Sequence, residues 1–291
     1  MQIDQVKKLQ PIDRLAYWIK ERESIRLKKE AGKPKPWTDD TILQSYRFCN
    51  VRRMDDKVSK WLMDNWYKPY KNHHNIVAAV AVARFFNLPN TLQELTKHLF
   101  VQGSPKWDLI KESARKVKRT GVAIFNGAYM VRGNDGSDKV ECVIDHYVRP
   151  MLDKVKIDPT SMKQSWSSLV ECYGYGSFMA GQIVADLRWA MDGGWKDKMT
   201  WAPVGPGSAR GIAWTLFPDS RETSTKKFVN DSELFTTTLI ELIPRLKKQL
   251  PTSITNRLEA HDFQNCMCEF YKYNRVLFGL GRPKSIYKGV V

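Results

Sequence analysis

The chain has 291 residues and carries 47 Lys and Arg against 31 Asp and Glu, a formal charge of +16. That surplus argues against an enzyme of small metabolites and fits a protein that neutralises phosphates, the plain alternative being a generally basic, soluble surface. A hydrophobic share of 42% excludes a disordered tail, and no apolar run nears the ~18 residues of a membrane span.

Pro11 opens a basic amphipathic helix with Leu15, Trp18, Ile19, Ile25 and Leu27 as its apolar stock and Gly32 as its stop. Lys33-Pro34-Lys35-Pro36 is a stiff connector, so residues 1–36 read as an N-terminal helix and linker and 37–291 as a single helical catalytic domain. Thr38 is the expected N-cap of a helix whose pattern continues from Ile42 through Leu62, with Arg47, Arg52 and Arg53 interrupting it beside Asn50. His73 and His74 are adjacent, point to different sides of a helix and make a poor chelate. Residues 76–83 suit a buried helix, and further helices are expected over 91–99 and from 104 to 119.

Residues 122–132 alone have strand character, with Asn126, Tyr129 and Arg132 lining a pocket or, equally, belonging to a buried turn packed by Phe125 and Tyr129; 133–136 form a turn. Helix returns from 140 to 155, bent at Pro150, and the stretch from 158 feeds a glycine hairpin. Residues 218–227 read as a polar loop. Asp231 or Ser232 caps a helix bent by Pro244. In the last helix Phe263, Met267, Phe270 and Leu277 form a core face, and His261, Asn265, Glu269 and Lys272 a polar stripe, solvated on the plain account. The fold class is therefore mainly α.

Five scattered cysteines with no CxxC pair give no zinc, iron–sulfur or disulfide pattern, and neither a cofactor nor a metal is expected. The first residues have no signal-peptide hydrophobic region. The chain also lacks a G-x-x-x-x-G-K-[ST] phosphate loop.

The hairpin occupies 169–188. Tyr173-Gly174-Tyr175-Gly176 breaks the helix, Ser177 can cap the next one, and free amides at a helix start suit a phosphate. Ala180, Ile183, Val184 and Leu187 follow buried-face spacing, leaving Phe178, Gln182, Asp186 and Trp189 to point at a ligand. A Gly/Pro loop, 201–211, then opens another helix. Helix, glycine hairpin, helix and a Pro-Val loop resemble the core of the helix-hairpin-helix DNA glycosylases, whose hairpin grips DNA beside a flipped base. Gly205 stands where those enzymes carry their catalytic Asp, and Phe178 where the lyases carry Lys, so the resemblance implies a retained grip without base excision.

Three stretches resemble a second group: Trp37 to Arg53, Glu171 to Gln182, and Cys268-Glu-Phe-x-Lys-Tyr273 followed by Gly281-Arg282. They are similar to the bacteriophage α-glutamyl/putrescinyl-thymine pyrophosphorylases, the amino acid:DNA transferases, and a related helical domain is fused to phage 5-hydroxymethyluracil DNA kinases. The resemblance implies transfer of an amino acid, glycine for example, onto 5-phosphomethyl-2′-deoxyuridine in double-stranded viral DNA. Phosphate would be displaced, after a separate kinase has acted, in the cytoplasm of an infected host. The product would protect viral DNA from restriction. The missing phosphate loop argues that the chain is not the kinase itself.

Under that resemblance Asp186 or Glu269 deprotonates the amine, each with capping or ion pairing as its structural alternative, and Arg210 stabilises the leaving phosphate. Tyr173, Gly174, Tyr175, Gly176, Ser177, Arg47 and Arg53 contact DNA. Phe178, Gln182, Trp189, Trp201 and Gly205 form the base pocket, and Lys272 or Arg188 receives the amino-acid carboxylate. A glycosylase and a non-catalytic helical DNA-binding module remain the two alternatives.

Overall fold

The computed structural model describes residues 2–127, 138–283, 286 and 287. Tyr129, Arg132 and the turn at 133–136 lie outside them. The described residues are mainly α-helical. In chain order they form α1 (Ile3–Lys8), α2 (Pro11–Glu30), α3 (Thr41–Ser45), α4 (Lys57–Leu62), α5 (Ile76–Phe86) and α6 (Pro89–Leu99). There follow α7 (Trp107–Arg119), α8 (Lys139–Glu141), α9 (Arg149–Leu152), α10 (Met162–Val170) and α11 (Ser177–Ala190). The last are α12 (Pro206–Leu216), α13 (Arg221–Asn230), α14 (Ser232–Lys247), α15 (Thr252–Thr255) and α16 (Ala260–Leu277). No helix among the described residues is long and apolar enough to cross a membrane. No strand forms at 122–127; the bridge between Tyr46 and Ile286 is isolated.

The chain divides into two compact units. One is discontinuous, Met1–Asp56 with Lys198–Val291, and the other is Lys57–Asp197.

In the discontinuous unit the core face expected of α16 is buried, with Phe263, Met267 and Phe270 fully enclosed beside Leu15, Trp18 and Ile19 of α2. Helix α12 reaches α16 through two glycines one turn apart. A Cβ on Gly211 would fall on the Met267 carbonyl oxygen, and one on Gly207 on the Cys268 sulfur, so only glycine permits this approach.

Asp40, fully buried, is the N-cap of α3, displacing the expected Thr38. Its Oδ1 accepts the amides of Ile42 at 2.9 Å and Leu43 at 3.0 Å, and its Oδ2 the hydroxyls of Tyr273 at 2.6 Å and Tyr17 at 3.1 Å. Beyond α3 the chain is extended rather than helical, because residues 46–52 spend their backbone groups on side chains of α2 and α16. The polar stretch expected as a loop forms α13, whose buried anchor is Phe228. Asp231 caps α14, accepting the amides of Glu233 and Leu234.

In the other unit α5 is apolar except at Arg84 and buried almost throughout, as its sequence requires. Helices α10 and α11 are joined by the glycine turn. Gly174, at φ +86°, lies where a Cβ would strike the Tyr147 ring, and Gly176, not Ser177, is the N-cap of α11. That helix is buried from Ala180 to Arg188, including Gln182 and Asp186, which reads differently from a face turned to ligand.

Candidate active site and nucleic-acid groove

Helices α12, α13 and α16 shape an open cavity of about 750 Å³. Arg210 of α12 and Arg275 of α16 flank Tyr271, their guanidinium carbons 5.5 and 6.0 Å from its ring centre. Arg221 of α13 lies 4.1 Å over Trp214, and its Nε is buried with no hydrogen-bond partner among the described residues. Lys226 adds a fourth cation, against the single acid Glu222. Cations held on aromatic rings stay extended and ready for an anion, and a groove lined by one sign of charge concentrates polyanions.

One turn along the surface of α16 the character changes. At about 100° per residue, Cys268 falls between Tyr271 and Arg275 on one side and Lys272 and Glu269 on the other. Glu269, buried at 3% exposure, accepts from Lys272 Nζ at 2.5 Å and from the backbone N–H of Cys49 at 3.1 Å. The next amide, Asn50, donates to Asp56 Oδ1 at 3.0 Å. Arg22 of α2 fixes the loop, donating to the carbonyls of Phe48 and Cys49 and to Asn50 Oδ1. Its Nη1 is buried with no partner among the described residues.

Burial raises Asp56 to about 6, despite the Asn50 amide and the nearby Arg53 and Arg22; Glu269 pushes in the same direction. Both Glu269 oxygens are engaged, whereas Asp56 Oδ2 carries no hydrogen bond among the described residues. Burial pushes Cys268 up to about 11, and Glu269, then desolvation, holds Cys49 well above its ordinary value, so neither thiol is poised as a nucleophile. A carboxylate raised to about 6 with an open oxygen can accept a proton near neutral pH, and a groove lined by cations can hold anions. Among the described residues no group of three His, Cys, Asp or Glu side chains is placed to hold a metal ion.

Of the residues expected from sequence, Glu269, Lys272 and Arg210 come together here, the latter two both acting on Cys268. Glu269 belongs to no solvated stripe, and His261 is buried with it. Gly205 is the N-cap of α12, its N–H donating to Ser208 Oγ at 3.0 Å, and Trp201 is buried in the same unit. Arg53 is buried, its amide donating to Asp262. Arg47 is exposed, its guanidinium over Tyr287.

Phe178, Gln182, Asp186, Arg188 and Trp189 belong to the other unit. Asp186 is fully buried, receives the Tyr67 hydroxyl and is ion-paired with Arg84, so its geometry is that of a structural ion pair. Arg188 is buried along α11, its Nε donating to the Ala185 carbonyl and its guanidinium 4.9 Å from Trp189. On the glycine turn Tyr173 is 66% and Phe178 47% exposed, whereas Tyr175 is buried against Phe85. Sequence reasoning missed Asp56, Cys49 and Arg22. The polar break at Arg47, Asn50 and Arg52 was the available signal that the apolar helix pattern had stopped.

Residues 10–280 match the family described as "5-hmdU DNA kinase, helical domain", and the chain belongs to that family. It is 26% identical over 225 residues to the 5-hmdU DNA kinase of Bacillus phage SP10, an alignment covering 67% of this chain and 34% of that protein. The chain thus spans about a third of the length of that curated relative. No solved structure matches it.

This membership corrects the amino acid:DNA transferase reading. The family that the chain joins is that of the helical domain of the 5-hmdU DNA kinases, not that of the amino acid:DNA transferases. Glycine transfer, a free amino acid as partner, action on an already phosphorylated base after a separate kinase, and the exclusion of the chain from kinase function fall with it. Lys272 and Arg188 lose the amino-acid carboxylate they were assigned.

Proposed function

We propose that the chain acts in the phosphorylation of 5-hydroxymethyl-deoxyuridine within DNA, holding the strand in its cationic groove and activating the hydroxymethyl oxygen. The observation that carries this reading is that α16 bears one wall of an arginine-lined groove and, on its other side, Glu269, which binds the Cys49 amide next to the Asn50 amide held by Asp56, a carboxylate with an open oxygen. Phosphates would lie on Arg210, Arg221, Lys226 and Arg275, with Tyr271 and Trp214 giving them a low-entropy backing. The target base would leave the stack, at a cost of a few kcal/mol, toward Asn50 and Asp56.

Asp56 Oδ2 would take the proton of the hydroxymethyl group as its oxygen bonds to the γ-phosphorus of a nucleoside triphosphate and the bond to the leaving diphosphate breaks. Lys272 and Glu269 hold the Cys49–Asn50 backbone that presents Asp56. The glycine turn between α10 and α11 is a second proposed backbone contact, with exposed Tyr173 and Phe178 and the amides of Gly174, Gly176 and Ser177, in the manner of a helix-hairpin-helix. On this proposal residues 37–291 carry the functional groups, and α2 supports them through its core face and Arg22.

The test is to incubate the chain with γ-labelled ATP and duplexes that differ only in thymine or 5-hydroxymethyluracil, then digest to nucleosides. Label on the hydroxymethyl nucleoside alone supports the proposal. Tight binding without label would confine the chain to holding DNA, and neither binding nor label would remove the reading.

A further inference from the structure

A second convergence of positive charge lies elsewhere on the discontinuous unit. Lys29 of α2, Lys35 of the connector and Arg47 of the extended segment gather on Trp37 and Tyr287, whose rings meet edge to face at 6.2 Å. Lys35 Nζ is 5.4 Å from the Trp37 ring centre and 5.3 Å from that of Tyr287; Lys29 Nζ is at 5.3 and 5.7 Å, and Arg47 at 5.3 Å from Tyr287. None of the three cations has a carboxylate partner among the described residues. Their mutual repulsion is real: desolvation first, then Arg22, Arg47 and Lys35, lower Lys29 below its ordinary value.

The scaffold holding them is fixed. Lys28 Nζ donates to the Trp37 carbonyl at 2.7 Å, Trp37 Nε1 to the Lys33 carbonyl at 2.7 Å, and the Tyr287 amide to the Ser45 carbonyl at 3.0 Å. Beside the cations opens a cavity of about 300 Å³ with apolar walls from Ile25, Pro36, Trp37 and Leu43 and a polar edge from Thr38 and Gln44. Three like charges gathered on one pair of rings concentrate anions at the surface, and the cavity beside them, at the small end of ligand pockets, suits a flat, largely apolar group attached to such an anion.

We infer that this cluster and its cavity form a binding site for one phosphorylated nucleotide, the phosphate on Lys29, Lys35 and Arg47 and the base against Trp37, Leu43 and Ile25. The cations already cover the ring faces, so the rings orient the charges, and the base enters the cavity beside them. The site is carried by observations separate from the groove on α12, α13 and α16, and either can stand without the other.

Calorimetric titration of the full chain with thymidine monophosphate, inorganic phosphate and a single-stranded oligodeoxynucleotide, for wild type and K35A/R47A, tests it. If the occupant is a free nucleotide, the monophosphate binds at least tenfold tighter than inorganic phosphate and the double variant loses at least tenfold. If the occupant belongs to a strand, the oligonucleotide shows that loss instead, and its log–log salt slope falls by about 1.4. A melting midpoint near that of wild type shows that the variant is folded, and K29Q repeats the test with one charge removed. The inference is overturned if neither nucleotide ligand distinguishes the variants from wild type, or if inorganic phosphate binds wild type as tightly as both. R210A/R275A separates the two sites: it weakens duplex binding if the groove holds DNA and leaves monophosphate binding as in wild type.

Discussion

Asp56 and Glu269 each bind one of two consecutive backbone amides: Asn50 N–H donates to Asp56 at 3.0 Å and Cys49 N–H to Glu269 at 3.1 Å. Two carboxylates are thereby held around one peptide segment, and they differ in what else they hold. Glu269 is closed by Lys272, whereas Asp56 keeps an oxygen open. One therefore has the structure of a support, the other that of a proton acceptor.

The D56N variant should lose phosphoryl transfer by about 10²–10⁴-fold while keeping DNA affinity, the usual contribution of a general base. Wild-type turnover should rise with pH through about 6, the value to which burial raises Asp56. The groups that face it are Arg22, Arg53, Asn50 and Glu269. The stability sign is opposite to that of an ordinary salt-bridged carboxylate. A folded-state value raised from 3.8 to about 6 means that wild type loses stability as pH rises across that window, and D56N does not. Urea titrations at pH 4 and 7 measure this directly, and a pH-independent difference between the two proteins would remove the assignment.

R210A/R275A should weaken duplex binding and reduce the log–log salt slope by about 1.8, because two phosphate contacts are lost. Fluorescence anisotropy over a salt series reads both quantities. An unchanged slope would mean that the groove does not carry the backbone.

D186A should destabilise the protein by about 3–5 kcal/mol, since Arg84 would be left as an uncompensated buried charge and the Tyr67 hydroxyl would lose its acceptor. Equilibrium unfolding in urea checks the magnitude. Full stability with lost turnover would instead return Asp186 to the chemistry.

G211A should cost about 1–3 kcal/mol by forcing α12 away from the Met267 carbonyl. D40A should cost about 2–4 kcal/mol, losing the α3 cap and stranding two buried tyrosine hydroxyls. Thermal or urea melts of the two single variants measure both, and a neutral result in either would show that its site relaxes freely.

Much of the fold is written in local pattern. The period of Phe263, Met267, Phe270 and Leu277 placed the buried face of α16, the apolar run at 76–83 announced α5, and Asp231 capped α14 as its position suggests. What escaped is what tertiary contacts decide. Asp186 looks like a side chain turned toward a ligand until Arg84 and Tyr67 arrive from other elements. Asn50 and Asp56 sit in a stretch whose apolar spacing suggests helix, and Glu269 of α16, Arg22 of α2 and Asp56 itself draw its backbone groups aside. The pairing of Glu269 with Lys272 is legible because the two lie three residues apart on one helix; the role of Arg22 is not, because nothing local connects α2 to the loop it holds. The transferase reading rests on stretches that build the helical body, and such stretches do not declare which group is moved.

The most direct measurement compares wild type and D56N for transfer of labelled phosphate to a duplex carrying a single 5-hydroxymethyluracil, with a thymine duplex as control. The account predicts label on the hydroxymethyl nucleoside with wild type, at least a hundredfold less with D56N at equal DNA occupancy, and none on thymine. Equal labelling by the two proteins, or DNA bound by wild type with no label transferred, would contradict it.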